Sequence, residues 1–304
     1  MSFTFDDDAL VLPQGAWART HRRMLRWRGR EIAGLTQGDL RPYLFPVYSP
    51  RGFAVTTERP ADHPHHNSLW IAADHVVCRV PAGDGFEDYA YNFYVDDVFQ
   101  GRAPGRQVQE RVEGREISSD VFRIEQQIAW RGPAEWAASH GRQAMAETRV
   151  TDVTVAASHH LLDVRSTLTP CAFDLVLGPT RHAYFNYRVA ESMRVMSGGS
   201  LRDDGDRCNA SSVGGVSARY VTYAGPVGGG NVAGVCLMLH PGDGDPSWFT
   251  ADWGVVTGGS FRSRERSLAK GESVTFRARY VVFDGEPDAA ALAVAYREFL
   301  ALPI

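Results

Sequence analysis

Ala146-Glu-Thr-Arg-Val-Thr-Asp-Val-Thr-Val155 and His160-Leu-Leu-Asp-Val-Arg-Ser-Thr-Leu-Thr169 decide the fold class of this chain. Both mix apolar and polar residues at a period of two, the spacing that sends successive side chains to opposite faces of a β-strand. In the second segment Leu162, Val164, Ser166 and Leu168 share one face, while Asp163, Arg165 and Thr167 share the other. The short connector Ala156-Ala-Ser-His159 reads as a hairpin turn.

The same pattern extends outward. Residues Arg115–Trp130 alternate as a half-buried strand pair would, and Val274–Phe283 is a further strand behind the turn Ala269-Lys-Gly-Glu272. One helix stands out, at the C-terminus. Pro287-Asp288 gives its start signal, Ala289–Leu300 is rich in helix formers, and Leu292, Tyr296, Phe299 and Leu300 form its apolar stripe. Strands at short spacing with one terminal helix predict an all-β, large antiparallel sandwich with a C-terminal helix. No composition break or repeat marks a boundary, so residues 1–304 read as one β-sandwich domain. Gly198-Gly199, Gly214-Gly215 and Gly228-Gly-Gly230 lack the strand-to-helix setting of a nucleotide loop and read as turns.

Composition narrows the function. With 32 basic and 36 acidic residues the net charge is −4, without the basic footprint that nucleic-acid binding requires. The basic run Arg19–Arg30 reads as the polar face of an edge strand. Cys78, Cys171, Cys208 and Cys236 form no CxxC pair and read as small buried hydrophobes. The acidic start Met1-Ser-Phe-Thr-Phe-Asp-Asp-Asp8 is unlike a signal peptide, and no apolar run reaches the ~18 residues of a membrane span. A cytoplasmic location is the expectation.

Chemistry concentrates in a few places. Asp62-His-Pro-His-His66 packs three imidazoles and a carboxylate into five residues, followed by Asn67 and Trp70. Neutral imidazoles transfer protons near physiological pH, and His63, His65 and His66 could equally hold a divalent metal. Pro64 favours an extended His63, which would aim His63 and His65 alike. A solvated polar loop is the alternative. Thr180-Arg-His-Ala-Tyr-Phe-Asn-Tyr-Arg188 combines Arg181, His182, Tyr184 and Asn186, a set that suits a sugar through ring stacking and hydroxyl bonds. It reads as readily as a strand with Tyr184 and Phe185 in the core. In Ser260–Arg266, Glu265 sits among Arg262, Arg264 and Arg266, which would hold it ionised for use as a base. A solvated charge run is the other reading. The aromatic and acidic stretch Asp84–Tyr94 fits a cleft-lining loop or a partner surface, and Trp248, Trp253 and His240 form a weaker cluster. Nucleophilic catalysis lacks support, since there is no GxSxG elbow.

Several of these segments together resemble one bacterial family. Pro42-Tyr-Leu-Phe-Pro-Val-Tyr-Ser-Pro50, Asp62–Trp70, Gly198-Gly199 after Arg188–Ser192, Tyr220–Pro226 and Leu268–Phe276 look like the PmoA-like, or DUF6807, signature over about residues 40–285. The resemblance implies a galactose-mutarotase-like β-supersandwich and a role in carbohydrate metabolism. His182-Ala-Tyr-Phe-Asn186 is also similar to the His-x-Tyr-Phe-Asn motif of aldose 1-epimerases. By that analogy His182 is the general acid and Glu265 the base.

The leading expectation is therefore an isomerase- or lyase-type enzyme using acid–base chemistry on a sugar or glycoside. His63, His65, His66, His182 and Glu265 would be catalytic, with Asp62, Asn67, Trp70, Arg181, Tyr184 and Asn186 binding the substrate. A metal-dependent hydrolase or oxygenase with the loop histidines as ligands is one alternative. A non-catalytic carbohydrate-binding protein is the other.

Overall fold

The structure is a computed structural model of the chain that describes residues 1–8, 21–135 and 138–302. Its first strands are β1 (Phe3–Asp7), β2 (His21–Trp27), β3 (Arg30–Gln37), β4 (Pro42–Val47) and β5 (Leu69–Ala73). There follow β6 (Val76–Ala82), β7 (Gly85–Asn92), β8 (Ala103–Pro104), β9 (Arg106–Glu116) and β10 (Val121–Arg131). The central strands are β11 (Gln143–Val155), β12 (His159–Pro170), β13 (Asp174–Leu177), β14 (Ala183–Arg188) and β15 (Ser200–Asp203). After the short helix α1 (Ala210–Val213) come β16 (Tyr220–Gly228), β17 (Asn231–Leu239), β18 (Ser247–Ala251) and β19 (Val255–Gly259). Strands β20 (Arg266–Leu268) and β21 (Val274–Asp284) precede the terminal helix α2 (Ala289–Leu300).

Two eight-stranded sheets make the sandwich. One runs β1-β2-β3-β4-β5-β14-β19-β18, the other β15-β16-β17-β21-β12-β11-β10-β9. A five-stranded sheet, β20-β13-β6-β7-β8, closes one side. All pairings are antiparallel except the brief β7–β8 contact. The expected sandwich with its terminal helix is what the chain forms.

The alternating segments behave as their period dictates. β11 and β12 pair along their whole length from Val155↔His160 to Met145↔Pro170, through the hairpin read from Ala156–His159. On β12, Leu162, Val164, Ser166 and Leu168 are buried, while Asp163, Arg165 and Thr167 are half-buried on the other face. The main core lies between the large sheets, with Trp130, Ile124, Leu168, Phe185, Tyr187 and Val256 in it. Helix α2 starts where Asp288 accepts the amides of Ala290 and Ala291, and it buries Leu292, Tyr296 and Phe299 against β16, β17 and β21. Leu300, placed in the apolar stripe by sequence, is 39% exposed, although Phe299 beside it is buried.

Other expectations are corrected. β2 is not an edge strand but lies between β1 and β3, and Arg19 and Thr20 fall outside the described residues. Cys78 and Cys236 are buried, whereas Cys171 and Cys208 are exposed. Most of the Asp84–Tyr94 stretch is not a loop but strand β7, hairpinned to β6. Among the described residues no helix is long and apolar enough to cross a membrane.

A polar network ties the two large sheets through the core. Glu147 is completely buried and accepts from Trp130 Nε1 (2.8 Å), Arg149 Nε (2.7 Å) and Ser166 Oγ (2.6 Å). Ser166 in turn meets the Tyr184 hydroxyl at 2.6 Å, and Arg149 Nη1 donates to the Pro42 carbonyl at 3.4 Å. Tyr184 and Pro42 belong to the opposite sheet. Removing one member of a buried ion pair leaves its partner charged and dry, which costs about 3–5 kcal/mol. Glu147→Ala should therefore lower unfolding stability by that amount, and Glu147→Gln by less. A urea midpoint unchanged in Glu147→Ala would contradict this network.

Candidate functional site

The outer face of the first large sheet carries a registered row of side chains. Opposite residues in neighbouring strands share a face, and the partners run Arg22↔Thr36↔Tyr43↔Trp70↔Asn186↔Thr257↔Phe249. Their neighbours Leu69, Ile71, Phe185, Tyr187 and Val256 point into the main core. Arg22 Nε donates to Thr36 Oγ1 (3.0 Å), Thr257 Oγ1 donates to Asn186 Oδ1 (2.7 Å), and Tyr43 donates its hydroxyl to Glu58. Tyr43, Trp70 and Tyr94 form a separate aromatic cluster, with Phe249 and Trp253 packed against it. This cluster is the floor of the candidate site.

The histidine loop folds onto that floor as a tight turn. His63 N donates to Pro60 O (3.0 Å), His66 N to His63 O (3.0 Å) and Arg59 N to His66 O (2.8 Å). Pro64 thus occupies the second position of a four-residue turn, a place its fixed φ suits. His63 and His65 do not aim alike as expected, their rings standing 76° apart. The turn pairs His63 with His66, whose rings lie 4.8 Å apart and almost parallel, at 7°. His65 stands edge-on to both. Trp253 lies flat on His63 at 4.1 Å, and His66 stacks on Trp70 at 5.1 Å. Trp253 is held by the β18–β19 turn, where Gly254 at φ +109° adopts a conformation that a side chain would strain against Val189 and Arg194.

Arg41 fixes the loop in place. Its guanidinium, 0% exposed, donates to the carbonyl of His65 (2.9 Å), the side chain of Asn67 (2.9 Å), and the carbonyls of Phe93 (3.1 Å) and Tyr94. Burial lowers its pKa to about 10, partly offset by Tyr94 and Asp96. Tyr94 is set by Asn92, whose side chain accepts the amides of Tyr94 and Val95. At the other side Arg188 Nη2 grips Asp62 at 2.9 and 3.0 Å, and Asp62 lies 3.1 Å from His63 Nδ1. Burial pushes the Asp62 carboxyl up, but Arg188 and His63 outweigh it and hold it below its ordinary value.

His182 arrives just before β14 and joins this group through Tyr94. The two rings stack at 5.1 Å, while His65 and His66 approach Tyr94 at 5.6 and 5.9 Å. His182 Nδ1 lies 2.9 Å from Asp74 Oδ2, and Asp74 also accepts from Thr180 Oγ1 and from Arg102 at 3.2 Å. Burial raises the Asp74 carboxyl, but His182, Thr180 and Arg102 prevail and keep it ionised below its ordinary value. An ionised Asp74 favours the proton on Nδ1, and the Nε2 lone pair accepts from Arg181 Nε at 3.3 Å. Phe249 and Phe99 flank the ring at 5.5 and 6.2 Å.

Burial drives the pKa of His65 down to about 4 and that of His66 lower still, with Arg41 and the neighbouring imidazoles adding to the effect. Both are neutral at pH 7. The site therefore sets an imidazole held by a carboxylate beside two neutral ones, a division that suits one proton acceptor and N–H donors.

The expected site residues thus separate. His63, His65, His66, His182, Asp62, Asn67 and Arg181 come together around Tyr94 and Trp253. Trp70 and Asn186 are buried beneath them, Trp70 as the support of His66 and Asn186 as a bond to Thr257 and the Trp70 carbonyl. Tyr184 is a correction: it is buried in the inter-sheet network and does not face the site. Glu265 is another. It is exposed at the start of β20 with Arg79 as its electrostatic neighbour, and the carboxylate beside His182 is Asp74. Among the described residues no group of three His, Cys, Asp or Glu side chains is placed to hold a metal ion, and His63 and His66 stack on each other. Asp74, Tyr94, Trp253 and Arg41 were missed as site members. Tyr94 and Trp253 lay within segments noted for their aromatics, whereas Asp74 and Arg41 carry no local signal.

The family of unknown function DUF6807 matches residues 23–297, and the chain belongs to it. No curated protein matches the sequence. Among solved structures, a candidate aldose 1-epimerase from Klebsiella pneumoniae aligns at 12% identity over 98% of this chain and 87% of its own, with a TM-score of 0.46. A candidate aldose 1-epimerase from Escherichia coli K12 aligns at 10% identity over 94% of this chain and all of its own, with a TM-score of 0.36. A galactose mutarotase-like protein from Clostridium acetobutylicum aligns at 6% identity over 94% and 99%, with a TM-score of 0.41.

Two outcomes follow from the site's charges. Arg41→Lys cannot reach four acceptors in two loops, so it should cost about 3 kcal/mol or more and loosen both; a denaturation midpoint equal to wild type would refute this role. His65 and His66 take up protons more readily when unfolded, so stability should fall as pH drops from about 6.5 toward 4. The contribution of Asp62 and Asp74 persists until pH falls through their depressed values. Midpoints at pH 7, 5.5 and 4.5 test this, and His65→Asn should flatten the slope.

Proposed function

We propose that the protein is an enzyme that moves a proton on a sugar or glycoside, as an isomerase or eliminating lyase would. The observation that carries this reading is the His182–Asp74 pair, 2.9 Å apart, opening onto a group of aromatic rings. A carboxylate that fixes the tautomer of an imidazole makes its far nitrogen a base. Once substrate draws Arg181 away from it, Nε2 of His182 takes a proton from a hydroxyl, or from a carbon next to a carbonyl. Arg181 beside it balances negative charge. On the other side of Tyr94, neutral His65 donates an N–H to the oxygen where charge gathers. Half-exposed His63 and the rings of Trp253, Phe249 and Phe99 supply faces for the apolar side of a pyranose. The similarity of His182-Ala-Tyr-Phe-Asn186 to the epimerase motif supports this reading.

Asp74 acts through His182 and is a positioning residue, so the two substitutions should differ. A panel of aldoses and glycosides in deuterated water, followed by NMR, reads both anomeric interconversion and deuterium uptake at carbon. His182→Ala should lower turnover by about 10²–10⁴ with the fold intact by circular dichroism. Asp74→Asn should lower kcat and shift its pH profile while leaving KM close to wild type. Wild-type turnover in His182→Ala would sink the proposal. Sugar binding without turnover in the wild type would favour a non-catalytic binding protein.

A further inference from the structure

The space beside His65 extends well beyond a single ring. A cavity of about 310 Å³ lies against His65, Asn67, Arg41 and Tyr43. A second, of about 630 Å³, continues toward Arg131 and His140. Leu40, Asp96 and Arg106 line both, so the two form one continuous groove. Either cavity alone has the volume of an ordinary small-molecule site, roughly 300–1,000 Å³. A monosaccharide bound at the imidazoles leaves the larger cavity unused.

The charges along the groove are not equally committed. Arg131 is paired with Glu110 at 3.0 Å, and Arg59 faces Asp39 at 3.8 Å. Asp96 and Arg106 are exposed at the junction of the two cavities, and neither side chain makes a hydrogen bond or ion pair with a described residue. A guanidinium fork and a carboxylate lining the same two cavities offer donors and acceptors in the combination that sugar hydroxyls require. Apolar surface lies next to them: Pro104 and Val108, the latter 40% exposed, line the same cavity and suit the C–H face of a pyranose. The mixed charge of the lining, with Asp39, Asp96 and Glu110 beside Arg59, Arg106 and Arg131, does not select a polyanion.

We propose that the substrate is an oligosaccharide. Its reacting ring sits beside His65 and His182, the next unit is held by Asp96 and Arg106, and further units follow the groove toward Arg131. The inference rests on the sugar reading above and adds chain length to it. Binding energy from units remote from the reaction would position the reacting ring, as such contacts do in enzymes that act on polymers.

The test uses the full chain and an array of glucans, mannans, galactans, xylans and uronans, each from one to six units long. Calorimetric titration then follows the best-bound series. Affinity should rise at least tenfold from one unit to three. The double variant Asp96→Ala, Arg106→Ala should lose that gain while keeping the affinity for one unit, and circular dichroism should show its fold intact. Binding that does not depend on chain length, or a gain that survives in the double variant, overturns the oligosaccharide proposal and leaves the proton-transfer reading standing. Absence of binding to every carbohydrate overturns both.

Discussion

The guanidinium of Arg41 sits where two loops meet, out of contact with water and bonded to four oxygens that all belong to neutral groups. A charge so placed is tolerated only while the donors of both terminal nitrogens are well directed, because desolvation costs more than any single bond returns. The consequence is geometric. The carbonyls of His65, Phe93 and Tyr94 and the amide of Asn67 must stand at fixed positions around one planar fork. That requirement joins the histidine loop to the segment after β7. It brings the imidazoles of His65 and His66 against Tyr94, and Tyr94 against His182. The site is an arrangement of rings around this buried cation.

The sheet beneath supplies the rest of the order. Strand alternation sends Leu69, Ile71, Phe185 and Tyr187 into the main core, and leaves Trp70 and Asn186 on the outer face. Side chains large enough to stack on imidazole are thereby concentrated opposite the core, where two loops can cover them. Burial under those loops keeps His65 and His66 neutral, while hydrogen bonds keep Asp74 ionised. Titratable groups within a few ångströms of one another are thus set to different protonation states. That separation is the physical basis of acid–base chemistry at one pH.

Local periodicity made much of the fold legible. The β11–β12 hairpin, β10, β21 and helix α2 all announce themselves by spacings that a strand or helix imposes on its own residues, whereas the pair expected within Arg115–Trp130 is only the end of β9, a turn and β10. The misreadings have equally local causes. Strand β7 looks like a loop because most of it, from Gly85 to Tyr89, is exposed and carries acidic and aromatic residues. Leu300 continues the stripe of α2 in sequence but, at about 100° per residue, falls to the side of the face made by Leu292, Tyr296 and Phe299. Pro64 signalled stiffness correctly, but the turn in which it sits pairs His63 with His66 in place of His65.

The sequence by itself determined the class of fold, the strands β10, β11, β12 and β21 with helix α2, and the presence of His63, His65, His66 and His182 as a concentration of titratable side chains. Tertiary structure alone decided which groups act together. It supplied Asp74 as the partner of His182 where Glu265 was expected, withdrew Tyr184 into the contact between sheets, and added Tyr94, Trp253 and Arg41. The reason is that periodicity and turn chemistry are properties of adjacent residues. Contact between residues 41, 65, 94 and 182 depends on strand register and on how loops settle over a sheet, and neither is written in the spacing of any one segment.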